Sequence, residues 1–123
     1  MFVRDRVAGV TTRVSVDRNG AEGNGASWAP SISADGRYVA FVSDSANLVP
    51  GDTNLFRDVF VRDRDTATTT RASVAGNGTE GNGNSATPSI SADGKHVAFQ
   101  SVATNFATGT DMWIPNVYLR DLG

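Results

Sequence analysis

A phrase stated twice governs this chain. Pro30-Ser31-Ile32-Ser33-Ala34-Asp35-Gly36-Arg37-Tyr38-Val39-Ala40-Phe41 returns as Pro88-Ser89-Ile90-Ser91-Ala92-Asp93-Gly94-Lys95-His96-Val97-Ala98-Phe99, each residue 58 positions after its twin. Self-similarity at a fixed period of this size means one supersecondary unit used repeatedly, each unit hiding its apolar face against the next. Each copy reads as a tight hairpin. A short strand (31–33, 89–91) meets an Asp-Gly corner, where glycine takes the left-handed backbone and aspartate bonds its own turn. A second strand follows at once (38–43, 96–101). Along it Val39 and Phe41 face one way while Tyr38, Ala40 and Val42 face the other. Both faces are apolar, which predicts a strand covered on both sides.

The repeat reaches well beyond the hairpin. Phe2-Val3-Arg4-Asp5-Arg6 returns as Phe60-Val61-Arg62-Asp63-Arg64, and Tyr118-Leu119-Arg120-Asp121 is a third partial copy. Thr11-Thr12-Arg13 returns as Thr69-Thr70-Arg71, and the loop Asn19-Gly20-Ala21-Glu22-Gly23-Asn24-Gly25 as Asn77-Gly78-Thr79-Glu80-Gly81-Asn82-Gly83. The chain therefore reads as one repeat domain of 123 residues, with copies over 1–58 and 59–116 and a remnant over 117–123. One period holds four expected strands: A (31–33), B (38–43), C (59–64) and D (68–74). Strand D is rich in Thr and Ser, as a half-wet outer strand should be. Composition agrees with an all-β domain. Long helical patterns are absent, and a 39% hydrophobic content is ordinary for a globular fold.

Four short antiparallel strands with a long return from the last to the first describe a propeller blade. The Ser-Ile-Ser-Ala-Asp-Gly-Arg-Tyr-Val-Ala-Phe phrase, followed by Asp58-Val59-Phe60-Val61-Arg62-Asp63, resembles the repeat of TolB-like propellers, distant relatives of the WD-repeat propellers. The resemblance covers the whole chain. It departs between Gly109 and Asn116, where Thr110-Asp111-Met112-Trp113-Ile114-Pro115 stands in for Asp52-Thr53-Asn54-Leu55-Phe56-Arg57. What the resemblance implies is an incomplete ring. By letter the chain runs C-D, A-B-C-D, A-B-C, so the outward faces of the blades are expected to be bare. Head-to-tail association would cover them, closing as a trimer or tetramer. Phe2–Arg6 and Tyr118–Asp121 are both strand C, so one is expected to be displaced or poorly ordered at such a junction. The blander reading is a piece cut from a longer propeller, designed or excised, with a periplasmic or extracellular parent.

The chemistry legible in the residues is sparse. Asp52, Asn54 and Asp58 carry hard oxygens at spacings that could gather around Ca²⁺, although the glycine and distal glutamate of an EF-hand loop are missing. The bland alternative is that Asp52 and Asn54 turn the chain while Asp58 anchors strand C. In the second copy the corresponding oxygens fall to Asp111 and Asn116, a poorer set. The Gly/Asn loops lead from strand to strand and read as crossings, not phosphate cradles. His96 is the lone histidine and the twin of Tyr38, a position that wants a ring; no Gly-x-Ser-x-Gly elbow accompanies it. Trp28 and Trp113 lack twins, and Trp28 reads as following a crossing loop. The Arg-Asp-Arg runs read as turn caps and surface pairs worth little. There is no cysteine for disulfide or thiol chemistry, and a net charge of −2 invites neither nucleic acid nor an anionic membrane. No stretch reads as a signal peptide or a membrane span. The expected function is a non-enzymatic scaffold or binding module for a protein, peptide or glycan. The alternative is an accessory propeller segment of a longer secreted or periplasmic protein or enzyme, and an autonomous hydrolase ranks third.

Overall fold

A computed structural model describes residues 1–110 and 113–123. Among these residues nine strands run in chain order: β1 (Phe2–Asp5), β2 (Val10–Arg13), β3 (Ser27–Ile32), β4 (Tyr38–Ser43), β5 (Asp58–Asp63), β6 (Thr68–Arg71), β7 (Ser85–Ile90), β8 (His96–Ser101) and β9 (Asn116–Asp121). They form three antiparallel sheets, β1-β2, β3-β4-β5-β6 and β7-β8-β9. This is one whole blade between two partial ones, in the order expected. Asp111, a candidate ligand of the second copy, lies outside the described residues.

The hairpins repeat bond for bond. Tyr38 N donates to Ser33 Oγ at 3.0 Å, and its twin His96 N to Ser91 Oγ at 3.0 Å. Each serine hydroxyl in turn donates 2.6 Å to the corner aspartate, Asp35 or Asp93. Gly36 and Gly94 both have φ near 74°, the left-handed region that penalises any Cβ. Their surroundings differ. A Cβ added at Gly36 would meet nothing closer than Arg64 Nη1 at 3.7 Å, whereas one at Gly94 would collide with the Tyr38 ring of the other blade. Gly36→Ala should therefore cost only the backbone strain, about 1–2 kcal/mol, and Gly94→Ala clearly more, because Tyr38 has to leave its seat. Melting temperatures of the two variants check this; equal losses would mean the blades do not meet here.

Strand A begins earlier than its sequence suggests. It starts at Ser27 and Ser85, and each strand carries a bulge, between Trp28 and Ser31 and between Ala86 and Ser89. Ala29 and Thr87 take left-handed φ of 54° and 48° just before Pro30 and Pro88. A bulge is where an edge strand tolerates a proline that cannot donate. Trp28 consequently sits inside β3, just after the crossing loop, with the Arg57 guanidinium 4.8 Å above its ring. Strand C starts at Asp58, and strand D stops at Arg71.

Strand β4 is buried on both faces, as its pattern demands. On one face Phe41 stacks on Phe60 at 5.9 Å between centroids, with Leu48 and Met1 beside them. The second copy builds the same triangle from Phe99, Tyr118 and Phe106. On the other face Ala40, Val42, Val59 and Val61 join one core with Val97 and Phe99. Strand β7 lies against β3, β4 and β5, so the second sheet roofs the first. Polar bonds cross the same seam: Ala34 N to Ala92 O at 3.0 Å, Ser85 N to Arg57 O at 2.8 Å, and Ile90 N to Ser31 Oγ at 3.0 Å. Both strand C remnants are paired within the chain, β1 on β2 and β9 on β8.

Candidate functional site

Two places concentrate chemistry or unfilled packing. The first gathers the proposed calcium ligands. Asp52 and Asp58 do come together, but around a cation the chain itself supplies. Arg71, at the end of β6, has Nη1 2.9 Å from Glu80 Oε1, Nη2 3.4 Å from Asp52 Oδ1 and Nε 3.7 Å from Asp58 Oδ2. Its side chain is 7% exposed, and those of Asp52 and Asp58 are 4% and 1%. Asn54 does not point an oxygen inward. Its amide nitrogen donates to Asp58 Oδ2 at 3.0 Å and to Gly81 O at 3.1 Å, while its oxygen accepts Phe56 N at 3.1 Å. Ser73 Oγ donates to Asp58 Oδ1 at 2.7 Å and accepts Val59 N at 3.0 Å, so Asp58 also anchors the start of β5.

Burial pushes the carboxyls of Asp52 and Asp58 above their usual range, Arg71 pulling against it in both. Glu80 moves the other way, held down chiefly by Thr53 N and helped by the Thr53 hydroxyl and Arg71. The cluster thus sets three carboxylates on one guanidinium, and it ties the loop after β4 to the crossing loop before β7. Among the described residues no three His, Cys, Asp or Glu side chains are arranged to hold a metal ion. Sequence reasoning missed Arg71 and Glu80, although each belongs to a repeated motif, as the twins of Arg13 and Glu22. That earlier pair also meets in an ion pair.

The second place is the pair of blade faces. Val59 and Val61 are 0% and 4% exposed beneath β7, whereas their twins Val117 and Leu119 on β9 are 73% and 70% exposed. At the opposite end Phe2, Val10 and Ile32 are each half or more exposed. His96 is half-exposed, with Nε2 4.0 Å from Asp121 Oδ2. Near it in sequence, the Ser91 hydroxyl donates to Asp93, and the Ser101 hydroxyl accepts from Ser85 and donates to Asn84 O.

No protein-family model matches the sequence, and no curated protein does. Solved structures do. A TolB structure from Agrobacterium tumefaciens aligns over 98% of this chain with a TM-score of 0.59 and 21% identity. The fold is that of a TolB-like propeller. TolB from Acinetobacter baumannii aligns over 99% of the chain with a TM-score of 0.51 and 20% identity. The TolB-like unit here spans 36% and 24% of the lengths of those two chains. Its sheets correspond to propeller blades.

Proposed function

We propose that this chain is a non-catalytic binding module, two TolB-like blades whose bare faces are covered by further copies of itself. The contrast between Val59 and Val61 on one side and Val117 and Leu119 on the other carries the reading. The same strand position is sealed where a blade follows and open where none does. Within the chain the seal is β7, a strand A. Its twin β3 in the next copy is the complementary surface, and Ile32, which would take the place of Ile90, is half-exposed. The seam bond from Ile90 N to Ser31 Oγ has a ready counterpart in Ile32 N of one copy and Ser89 Oγ of the next. With two periods per chain, a heterologous contact of this kind closes as a six-bladed trimer or an eight-bladed tetramer.

Each junction would pair β9 with β2 of the next copy. At present β1 holds that edge, and it does so in the register that β5 uses on β6: Phe2 faces Arg13 as Phe60 faces Arg71. In the assembled ring β1 therefore gives way to β9. The short span of the TolB structures that this chain covers favours a second reading, a segment of a longer propeller of periplasmic parentage. In either case the ring's loops would present the surface for a protein, peptide or glycan.

Light scattering on the purified chain separates the two. A mass of three or four chains is the expected result. A folded single chain that melts cooperatively at high dilution and never associates would reject self-assembly.

A further inference from the structure

A different cluster lies away from the blade faces, in the cleft between β2 and the hairpin end of the four-stranded blade. The cleft has a volume of about 440 Å³ and is lined by Arg13, Arg37, Arg62 and Arg64 together with Asp35 and Asp65. Two of the guanidiniums are neutralised. Arg13 pairs with Glu22. Arg37 grips Asp63 with both arms, at 2.9 and 2.8 Å, and has Asp65 at 3.5 Å. Asp35 is turned onto its own hairpin, accepting from Ser33 Oγ and Arg37 N.

The other two guanidiniums have no carboxylate within 4.0 Å among the described residues. Arg62, 8% exposed, donates only to neutral acceptors, Asp17 O at 3.0 Å and Thr69 Oγ1 at 3.1 Å. Arg64 gives Nη1 to Gly36 O at 2.7 Å, and its Nε is buried without an acceptor among the described residues. Asp17 and Asp63 reach Arg62, and Asp5 reaches Arg64, only through the longer-range field. A guanidinium stays charged even when desolvated, so an unpaired one in a cleft is costly until an anion meets it. Arg62 lies near the end of β5 and Arg64 in the turn just after it, and both line the cleft. Planar forks with spare donors match the oxygens of carboxylate and phosphate groups.

The repeat provides its own comparison. In the second copy Leu122 replaces Arg64 and Lys95 replaces Arg37. In the N-terminal remnant Arg4 and Arg6 are exposed. The paired, sheltered forks belong to the first junction.

We propose that this cleft binds a small oxyanion, the carboxylate or phosphate group of a ligand, between Arg62 and Arg64. A volume of this size accepts the anionic group plus several further atoms. The site stands whether or not the chain assembles, because β2 and the whole blade form it within one molecule.

Calorimetric titration in low-salt buffer, with inorganic phosphate in one arm and citrate in the other, tests it. Saturable binding of phosphate alone assigns a phosphate-bearing ligand, and of citrate alone a carboxylate; both together assign the shared oxyanion chemistry. Arg64→Gln should weaken whichever binding is seen by roughly tenfold or more, and Arg6→Gln, on the exposed twin, should leave it unchanged. Should Arg64→Gln fail to fold, Arg64→Lys decides, since it keeps the charge and loses the fork; a several-fold weakening is then expected. Absence of saturable binding in both arms overturns the proposal. So does binding that Arg64→Lys leaves intact, or that Arg6→Gln weakens equally.

Discussion

Replacing Arg71 by methionine is expected to destabilise the chain by about 3–5 kcal/mol, the usual consequence of removing one partner from a buried charge cluster. The loss does not come from missing attraction alone. Asp52 and Asp58 would remain almost wholly enclosed, with only Asn54 and Ser73 left to stabilise the Asp58 charge. The effect should depend on pH in a definite direction. Burial raises both carboxyls already, so their ionisation works against the folded state. That penalty is absent below the usual carboxylate range and grows as pH rises through the raised folded values. Without Arg71 the folded values rise further. The stability gap between wild type and Arg71→Met should therefore be widest near neutral pH and narrow on acidification toward about pH 4, where both groups take up protons. Glu80 adds to this weakly, since its carboxyl, held down chiefly by Thr53 N and in part by Arg71, contributes stability above its usual value that is lost in acid. Urea denaturation at the two pH values measures the gap, and a gap independent of pH would refute the account. Calcium adds a second readout. Millimolar calcium should leave the melting temperature of the wild type unmoved, because Arg71 occupies the centre of the oxygens.

Twin substitutions on β5 and β9 should give opposite results from the same chemical change. Val59→Asp puts a charge where the side chain is 0% exposed, sealed under β7. A loss above about 4 kcal/mol is expected, enough to unfold a domain of this size. Val117→Asp makes the same change where the strand is open, and should cost about 1 kcal/mol or less in the isolated chain. It should nonetheless abolish association, since the new carboxylate would be buried unpaired against the next copy. Denaturation curves report the first effect and light scattering the second. A multimer that survives Val117→Asp would show that this face is not the one used.

The order of strands was readable because the period-58 repeat sets every strand against a twin, and because alternation along 38–43 has one sensible interpretation. The start of strand A was not. Ser27-Trp28-Ala29-Pro30 looks like loop, since a proline and the residue before it ordinarily end a strand. Here a bulge with left-handed Ala29 carries the pairing past Pro30. The candidate metal loop was half legible. Spacing brought Asp52 and Asp58 together, but the cation between them comes from β6 and the third carboxylate from a crossing loop, and neither is local in sequence. The burial of Arg62 is hidden from its local sequence for the same reason. Its Arg-Asp-Arg run looks like solvated surface, and in the remnant copy Arg4 and Arg6 are exposed. In the complete copy the segment around Val14, Val16 and Asp17 folds over β5 and encloses it. Asp63, by contrast, does cap its turn, accepting Asp65 N and Thr66 N.

The four residues of β1 give the chain a stopper of its own making. They already sit on the edge where a neighbour's last strand would dock, so a freshly made molecule is closed at one end. Growth of a ring would wait for that strip to peel off. Its pace would then level off as molecules are crowded together, being governed by the peeling step and not by how often two of them meet.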